Sequence, residues 1–319
     1  MIFSCTSIFN KNKKNLEISN KDNYHDRHWK ADSEGEFIVI AVHGYNDYSY
    51  SFKYPANVFK KFGIDTYSFD LRGFGKNIDH GNWFPLETHI NDIEKYLQKI
   101  KFENPNKKIF LLGESMGGAI VVSMANQKKI PIDGIILVAP AIWNFTKKNF
   151  FKSTILNLFS GIFPNLTLSG DGIINVKPSD NIKMLKEFSS DSYVVHNPTL
   201  KSLNGIIKLM DRSFIETSTY LKNPNYETLI ILPIIDEIVP RKPLLNILKK
   251  KEVKTNVGGK IRLGVYSNNY HMILRDLDGD KVSEEIKEWI INRRNIKNLN
   301  SFKDVYKRLY SSDFFHQLD

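Results

Sequence analysis

Six short apolar runs, each leading into a loop or helical pattern, constrain this chain more than any other feature. They are "EFIVIAVHG" (36–44), "DTYSFDLRGFG" (65–75), "KKIFLLG" (107–113), "GIILVAP" (134–140), "ETLIILPIID" (227–236) and "GKIRLGVYSN" (259–268). Continuous β-branched runs of this length read as strands buried on both faces. Between them lie amphipathic segments: "HINDIEKYLQKIKFE" puts Ile90, Ile93, Tyr96, Leu97 and Ile100 on one helical face. "GAIVVSMANQKK", "KPLLNILKKK" and "DKVSEEIKEWIINRR" continue the alternation. Strand and helix in turn predict a mostly parallel sheet covered by helices on both sides.

The alternation stops over about 85 residues, 141–225, where aromatic-rich helical patterns replace it. The organisation predicted is an N-terminal segment 1–34, a core of 35–140 with 226–295, a helical insertion 141–225, and a tail 296–319. The two ends are polar or charged and are expected to wrap or fray.

The motif "GESMGG" follows the third run and precedes a helix. A G-x-S-x-G match alone is weak, but between a strand and a helix it describes a tight elbow that lifts a serine above the sheet edge. Gly113 and Gly117 are required there because strand and helix backbones come close. Ser115 would then sit at a helix N-terminus, where free N–H groups favour developing negative charge.

A serine hydroxyl needs a base, and the base needs an orienting acid. Among eight histidines, His271 lies just past the last strand, in a loop that would hang over the same sheet edge. His43, at the exit of the first run, reads as structural. Asp236 ends the run "LIILPII", with Glu237 adjacent but pointing elsewhere; Asp276 and Asp278 follow His271 too closely and read as loop or capping residues. The order Ser115, Asp236, His271 suits such a sheet. An oxyanion would be held by two backbone N–H groups: Met116, after the serine, and Tyr45, after the turn at Gly44.

These pieces together resemble the α/β-hydrolase family, in its monoacylglycerol lipase and lysophospholipase-like (serine aminopeptidase-like) branch. "HGYNDYSYSF", "FDLRGFG", "GESMGGA", "LVAPA", "DEIVP" and "YHMILRD" run in family order from about 37 to 290. The resemblance implies a serine hydrolase with Ser115, Asp236 and His271 as triad, Tyr45 and Met116 as oxyanion donors, and residues 141–225 as a cap forming the substrate pocket. One departure is Ile234, two residues before Asp236, where many relatives carry a glycine; a bulkier residue there threatens to shift the acid's loop.

The insertion's aromatics Trp143, Phe145, Phe150, Phe151, Phe159 and Phe163 either form the cap's own core or make an acyl tunnel and a membrane-docking face. Trp143, Phe159 and Phe163 are the expected pocket residues. The expected substrate is a single-chain lipid ester, with peripheral contact to a membrane. A peptidase or small-ester esterase on the same scaffold is the alternative. A peptidase would need a carboxylate for the substrate amine, for which Glu187, Asp191, Asp211 and Glu216 are candidates. A carboxylate-nucleophile dehalogenase or epoxide hydrolase is excluded by the serine at 115, and a non-catalytic membrane-surface module is disfavoured by a complete triad.

Net charge is +10, but its lysine clusters are scattered and no nucleic-acid motif accompanies them. No cofactor or metal is called for, and the single cysteine, Cys5, rules out an internal disulfide and Cys-based zinc patterns. "IFSC" resembles the end of a lipoprotein signal, yet only four residues precede Cys5. The chain is expected in the cytoplasm or at a membrane surface, with a lipid anchor on Cys5 as the alternative if the true start lies upstream. The sequence carries no signal for oligomeric state.

Overall fold

The computed structural model describes residues 25–168 and 176–292. Cys5 and the tail 296–319 lie outside the described residues. All six expected strands form, as β2 (Phe37–Val42), β3 (Ile64–Phe69), β4 (Lys108–Glu114), β5 (Gly134–Val138), β6 (Glu227–Pro233) and β7 (Ile261–Tyr266). A seventh, β1 (Asp26–Trp29), was not expected from the polar N-terminal stretch. The sheet order is β1-β3-β2-β4-β5-β6-β7, with β1 antiparallel to β3 and every other pair parallel. This is the α/β-hydrolase fold.

The pleat divides each strand between two apolar layers. Ile38, Ile40 and Val42 of β2, with Ile109 and Leu111 of β4, enter one core. Val39 and Ala41, with Phe110 and Leu112, enter the other. The first layer is closed by α2 (Leu86–Glu103), α3 (Met116–Gln127) and α7 (Lys242–Leu248), whose apolar faces carry Ile90, Ile93, Ile120 and Leu245. The second is closed by α1 (Lys53–Phe59) and α8 (Gly279–Asn292) through Phe59, Val282, Ile286 and the fully buried Trp289. Because β4 lies between β2 and β5 at the centre of the sheet, its C-terminal end is where loops from both sides converge.

Residues 141–225 contain α4 (Phe150–Ile162), α5 (Ile182–Ser190) and α6 (Leu200–Tyr220). α6 is more than a cover: Ile206, Leu209, Met210 and Tyr220 join the core beside α3, and the Ser123 hydroxyl donates to Ser213 at 3.1 Å. The insertion is therefore anchored along its last helix. α4 differs, since Phe150 and Phe151 are 65% and 82% exposed. For these two residues the cap-core reading does not hold.

Candidate active site

Ser115 is placed by its backbone before its side chain matters. It has φ 54° and ψ −116°, a left-handed conformation that a non-glycine residue adopts only when its surroundings impose it. They do so by hydrogen bonds: the Ser115 N–H donates to the Val138 carbonyl (2.9 Å), and the Ser115 carbonyl accepts from Ala141 (2.9 Å) and Ala119 (3.1 Å). The flanking glycines are needed for space. A Cβ on Gly113 would lie 2.4 Å from the Gly117 carbonyl oxygen, and one on Gly117 would lie 2.0 Å from that of Val42.

The structure brings the three expected side chains together. The Ser115 hydroxyl lies 2.8 Å from His271 Nε2, and His271 Nδ1 lies 2.8 Å from Asp236 Oδ2. A carboxylate only accepts, so Nδ1 carries the proton it donates to Asp236, and Nε2 accepts from the serine. The other carboxylate oxygen of Asp236 accepts the N–H groups of Ile238 and Val239, both at 2.9 Å. Asp236 and His271 are buried. Burial alone pulls the His271 pKa down, but the charge and hydrogen bond of Asp236, with the charge of Glu114, outweigh it and leave the imidazole above its ordinary value.

The Ile234 departure does not displace the acid. Its N–H donates to the Tyr266 carbonyl (2.9 Å) and that of Ile235 to Asn269 (3.0 Å), prolonging the β6–β7 contact to the residue before Asp236. Glu237 points away, accepting from the Lys177 N–H at 2.7 Å.

Beside the serine, a Cβ on Gly44 would sit 3.4 Å from Ser115 Cβ, which sets the 44–45 turn against the nucleophile's position. Tyr45 packs edge-on against Phe74 and Trp83, and its hydroxyl lies 2.8 Å from Ser202 of α6. Met116 opens α3, so its N–H has no acceptor in the first turn of that helix. His43 is structural: Nδ1 donates to the Gly44 carbonyl (2.8 Å), Nε2 accepts from the Leu71 N–H (2.9 Å), and burial lowers its pKa.

The insertion is bonded to each loop of the site. The Val195 N–H donates to the Asn46 carbonyl (2.9 Å), and Met272, next to His271, donates to Pro178 (2.8 Å). Asp276, expected as a loop or capping residue, accepts from the Ser179 hydroxyl (2.6 Å), the Tyr270 N–H (2.7 Å) and Asn269 (3.2 Å). Of the expected pocket aromatics, Trp143 is half-buried against the core with Phe145 edge-on at 4.8 Å. Phe159 and Phe163 are about half exposed, at 48% and 53%, their rings 6.4 Å apart.

Sequence reasoning missed a buried trio beside the serine: Glu114, Asp47 and Arg275. The signal was present for two of the three, since Glu114 in "GESMGG" stands among small and apolar residues and Arg275 in "YHMILRD" directly follows the apolar stretch Met272–Leu274. Among the described residues, no group of three or more His, Cys, Asp or Glu side chains is arranged to hold a metal ion.

The serine aminopeptidase S33 family model matches residues 33–278. The chain belongs to this family. Among similar proteins, phospholipase YtpA of Bacillus subtilis is 26% identical over 199 residues, 61% of this chain and 75% of that one. Human monoglyceride lipase is 23% identical over 274 residues, 84% and 86% of the two chains. In structure the chain is similar to the monoacylglycerol lipase of Paleococcus ferrophilus, with a TM-score of 0.66, 22% identity, and 84% and 98% covered. A soluble variant of the Saccharomyces cerevisiae monoglyceride lipase, solved with a substrate analog, gives a TM-score of 0.68 at 19% identity, with 85% and 92% covered. At these identities the structural likeness establishes the α/β-hydrolase fold of this S33-family chain.

Proposed function

We propose that the chain is a serine hydrolase that cleaves carboxylic esters of single-chain lipids, such as monoacylglycerols or lysophospholipids, through an acyl-enzyme. The observation that carries this reading is the unbroken Ser115–His271–Asp236 chain of contacts at the N-terminus of α3. In the proposed reaction Ser115 Oγ attacks the ester carbonyl carbon while His271 Nε2 takes its proton. The carbonyl oxygen becomes an oxyanion, held by the N–H groups of Tyr45 and Met116. On collapse the C–O bond to the leaving alcohol breaks, and His271 gives that oxygen its proton. Water then attacks the acyl-serine, His271 takes the water's proton, and the carboxylic acid departs as Ser115 regains its hydrogen. Asp236 holds the imidazole's tautomer and stabilises its cation.

Lipid is favoured as substrate by the apolar insertion above the site and by the names of the relatives. The peptidase alternative is weakened at three of its four candidate carboxylates, Glu187 being the fourth. Asp191 accepts from the Tyr48 hydroxyl, Asp211 from the Thr146 N–H, and Glu216 pairs with Arg212 and Gln127. Peripheral membrane contact is part of the same reading: α4 exposes Phe150, Phe151, Ile155 and Leu158 near Lys147, Lys148 and Lys152. Among the described residues, no helix is long and apolar enough to cross a membrane.

A substrate panel tests the proposal: acyl esters from butanoyl to dodecanoyl, monoacylglycerols, lysophospholipids and aminoacyl arylamides, with Ser115→Ala as control. Each buried CH₂ is worth roughly 0.8 kcal/mol, so kcat/KM should rise by up to about fourfold per methylene while the pocket has room. A flat or falling profile removes the lipid reading. Faster cleavage of arylamides than esters transfers the case to a peptidase.

A further inference from the structure

Glu114, Asp47 and Arg275 come from three separate segments at the C-terminal edge of the sheet: the end of β4, the turn after β2 and the short helical turn after His271. Glu114 immediately precedes Ser115, Asp47 lies two residues beyond Tyr45, and Arg275 lies four beyond His271. Arg275 Nη2 is 2.7 Å from Asp47 Oδ2 and 3.3 Å from Glu114 Oε2. All three side chains are at least nine-tenths buried, with residue exposures of 2% for Glu114, 3% for Asp47 and 5% for Arg275. The arrangement is incompletely satisfied, because Glu114 Oε1, Asp47 Oδ2 and Arg275 Nε have no hydrogen-bond partner, so the Arg275–Asp47 contact is an ion pair without hydrogen-bond geometry. Burying charges in this manner adds little net stability, since desolvation offsets the attraction. Its consequence is geometric: one guanidinium nitrogen ties together the three segments that hold the nucleophile, an oxyanion donor and the base.

We propose that Arg275, clamped between Glu114 and Asp47, is a positioning residue that sets the Ser115 elbow, the Tyr45 turn and the His271 loop in register for catalysis. The inference rests on the serine-hydrolase reading above. Loop placement at this level of precision matters, because a misplacement of about 1 Å in an active site can reduce the rate roughly 10²-fold. The rest of the surroundings leave Arg275 in this role. The Phe188 ring of α5 covers the guanidinium at 5.7 Å. The Asp276 carboxylate is turned to Ser179, Asn269 and the Tyr270 N–H.

The trio also sets a field on the base. The charged groups facing His271 are Asp236 from the β6 exit, Glu114 from β4 and Arg275 from its own loop; the two carboxylates raise its pKa and Arg275 lowers it. Burial raises the Glu114 pKa above the ordinary carboxylate value, with the charges of Arg275 and His271 opposing the rise and those of Asp47 and Asp276 adding to it. A trio that served packing alone would leave the titration of the base unmoved when one member lost its charge at constant shape.

The experiment uses the full chain and the rate of labelling by a fluorophosphonate, followed as a function of pH, together with kcat and KM on one ester. Glu114→Gln keeps the shape and removes the charge, so His271 loses a stabiliser of its cation. The acid limb of the profile should move to lower pH relative to wild type. Arg275→Met should lower kcat and the labelling rate by about 10²-fold with KM changed far less, and Arg275→Lys should recover most of that loss. If Glu114→Gln leaves the limb in place, or Arg275→Met changes the melting temperature but not the labelling rate, the positioning role is overturned. Should Arg275→Met not fold, Arg275→Gln is measured in its place, with the same loss in labelling rate expected and an unchanged rate overturning the role. A wild-type protein that does not label, or a Ser115→Ala variant that does, overturns the hydrolase reading instead, and the two failures are distinct.

Discussion

Gly117 and Val42 are in backbone contact across the elbow: a Cβ on Gly117 would lie 2.0 Å from the Val42 carbonyl oxygen and 2.8 Å from that of His43. These obstacles are main-chain atoms of the strand that leads to the Tyr45 turn, so they cannot rotate aside. The position of Ser115 and that of the oxyanion turn are thus set by one contact.

Gly117→Ala should therefore cost about 3 kcal/mol or more, at the upper end of overpacking changes, and should reduce activity even in the fraction that folds. Gly161 of α4 supplies the contrast, since nothing lies within 4 Å of a Cβ built there. Alanine at 161 should be neutral or stabilising by up to about 1 kcal/mol through helix propensity. Denaturant unfolding of both variants checks the pair, and equal effects would mean that the elbow has more room than its geometry implies.

The base must be neutral to accept the serine proton, and the Asp236 and Glu114 carboxylates hold the buried His271 imidazole above its ordinary pKa. Activity should accordingly rise with pH through a midpoint above about 6.5, the ordinary histidine value. Asp236→Asn removes the largest influence holding that pKa up, so the midpoint should fall while the rate drops by roughly 10⁴-fold. Glu237→Gln should do neither, because Glu237 is engaged with the Lys177 N–H. A pH profile of kcat/KM for the three proteins separates these outcomes.

What could be read from the chain divides along physical lines. The elbow was legible because strand, helix and two obligatory glycines lie within a few consecutive residues. Asp236 was legible because it directly follows a buried apolar run, and His271 because it lies in the loop just past the last strand. β1 was not: its four residues have no apolar alternation, and they form a strand through pairing with β3 and through His28, which contacts Asp65 and stacks on Tyr67. Arg275 and Glu114 are 161 residues apart and meet only in the folded chain. α4 had an apolar pattern like that of a core helix, and periodicity locates an apolar face without saying whether protein or solvent lies against it.

That exposed face leads to the last prediction. Along α4, Phe150, Phe151, Ile155, Leu158, Phe159 and Ile162 are between 48% and 82% exposed, and exposed Lys147, Lys148 and Lys152 lie beside them. Apolar side chains grouped with cations suit the surface of an anionic bilayer, where burial and charge attraction act together. Replacing Phe150 and Phe151 with Ser should weaken sedimentation with phosphatidylglycerol-containing vesicles at least roughly tenfold, given about 1.5–3 kcal/mol for each fully buried aromatic. Added salt should weaken it further by screening the lysines. The melting temperature should hardly change, because these rings have little packing to lose. Hydrolysis of a soluble butanoyl ester should stay near the wild-type rate while hydrolysis of vesicle-borne monoacylglycerol falls. Phe159→Ala and Phe163→Ala, at the end of the same helix, should act mainly on long-chain esters. If the double Ser variant binds vesicles as the wild type does, α4 is not the docking face. If it loses the butanoyl activity as well, the helix supports the site rather than the membrane contact.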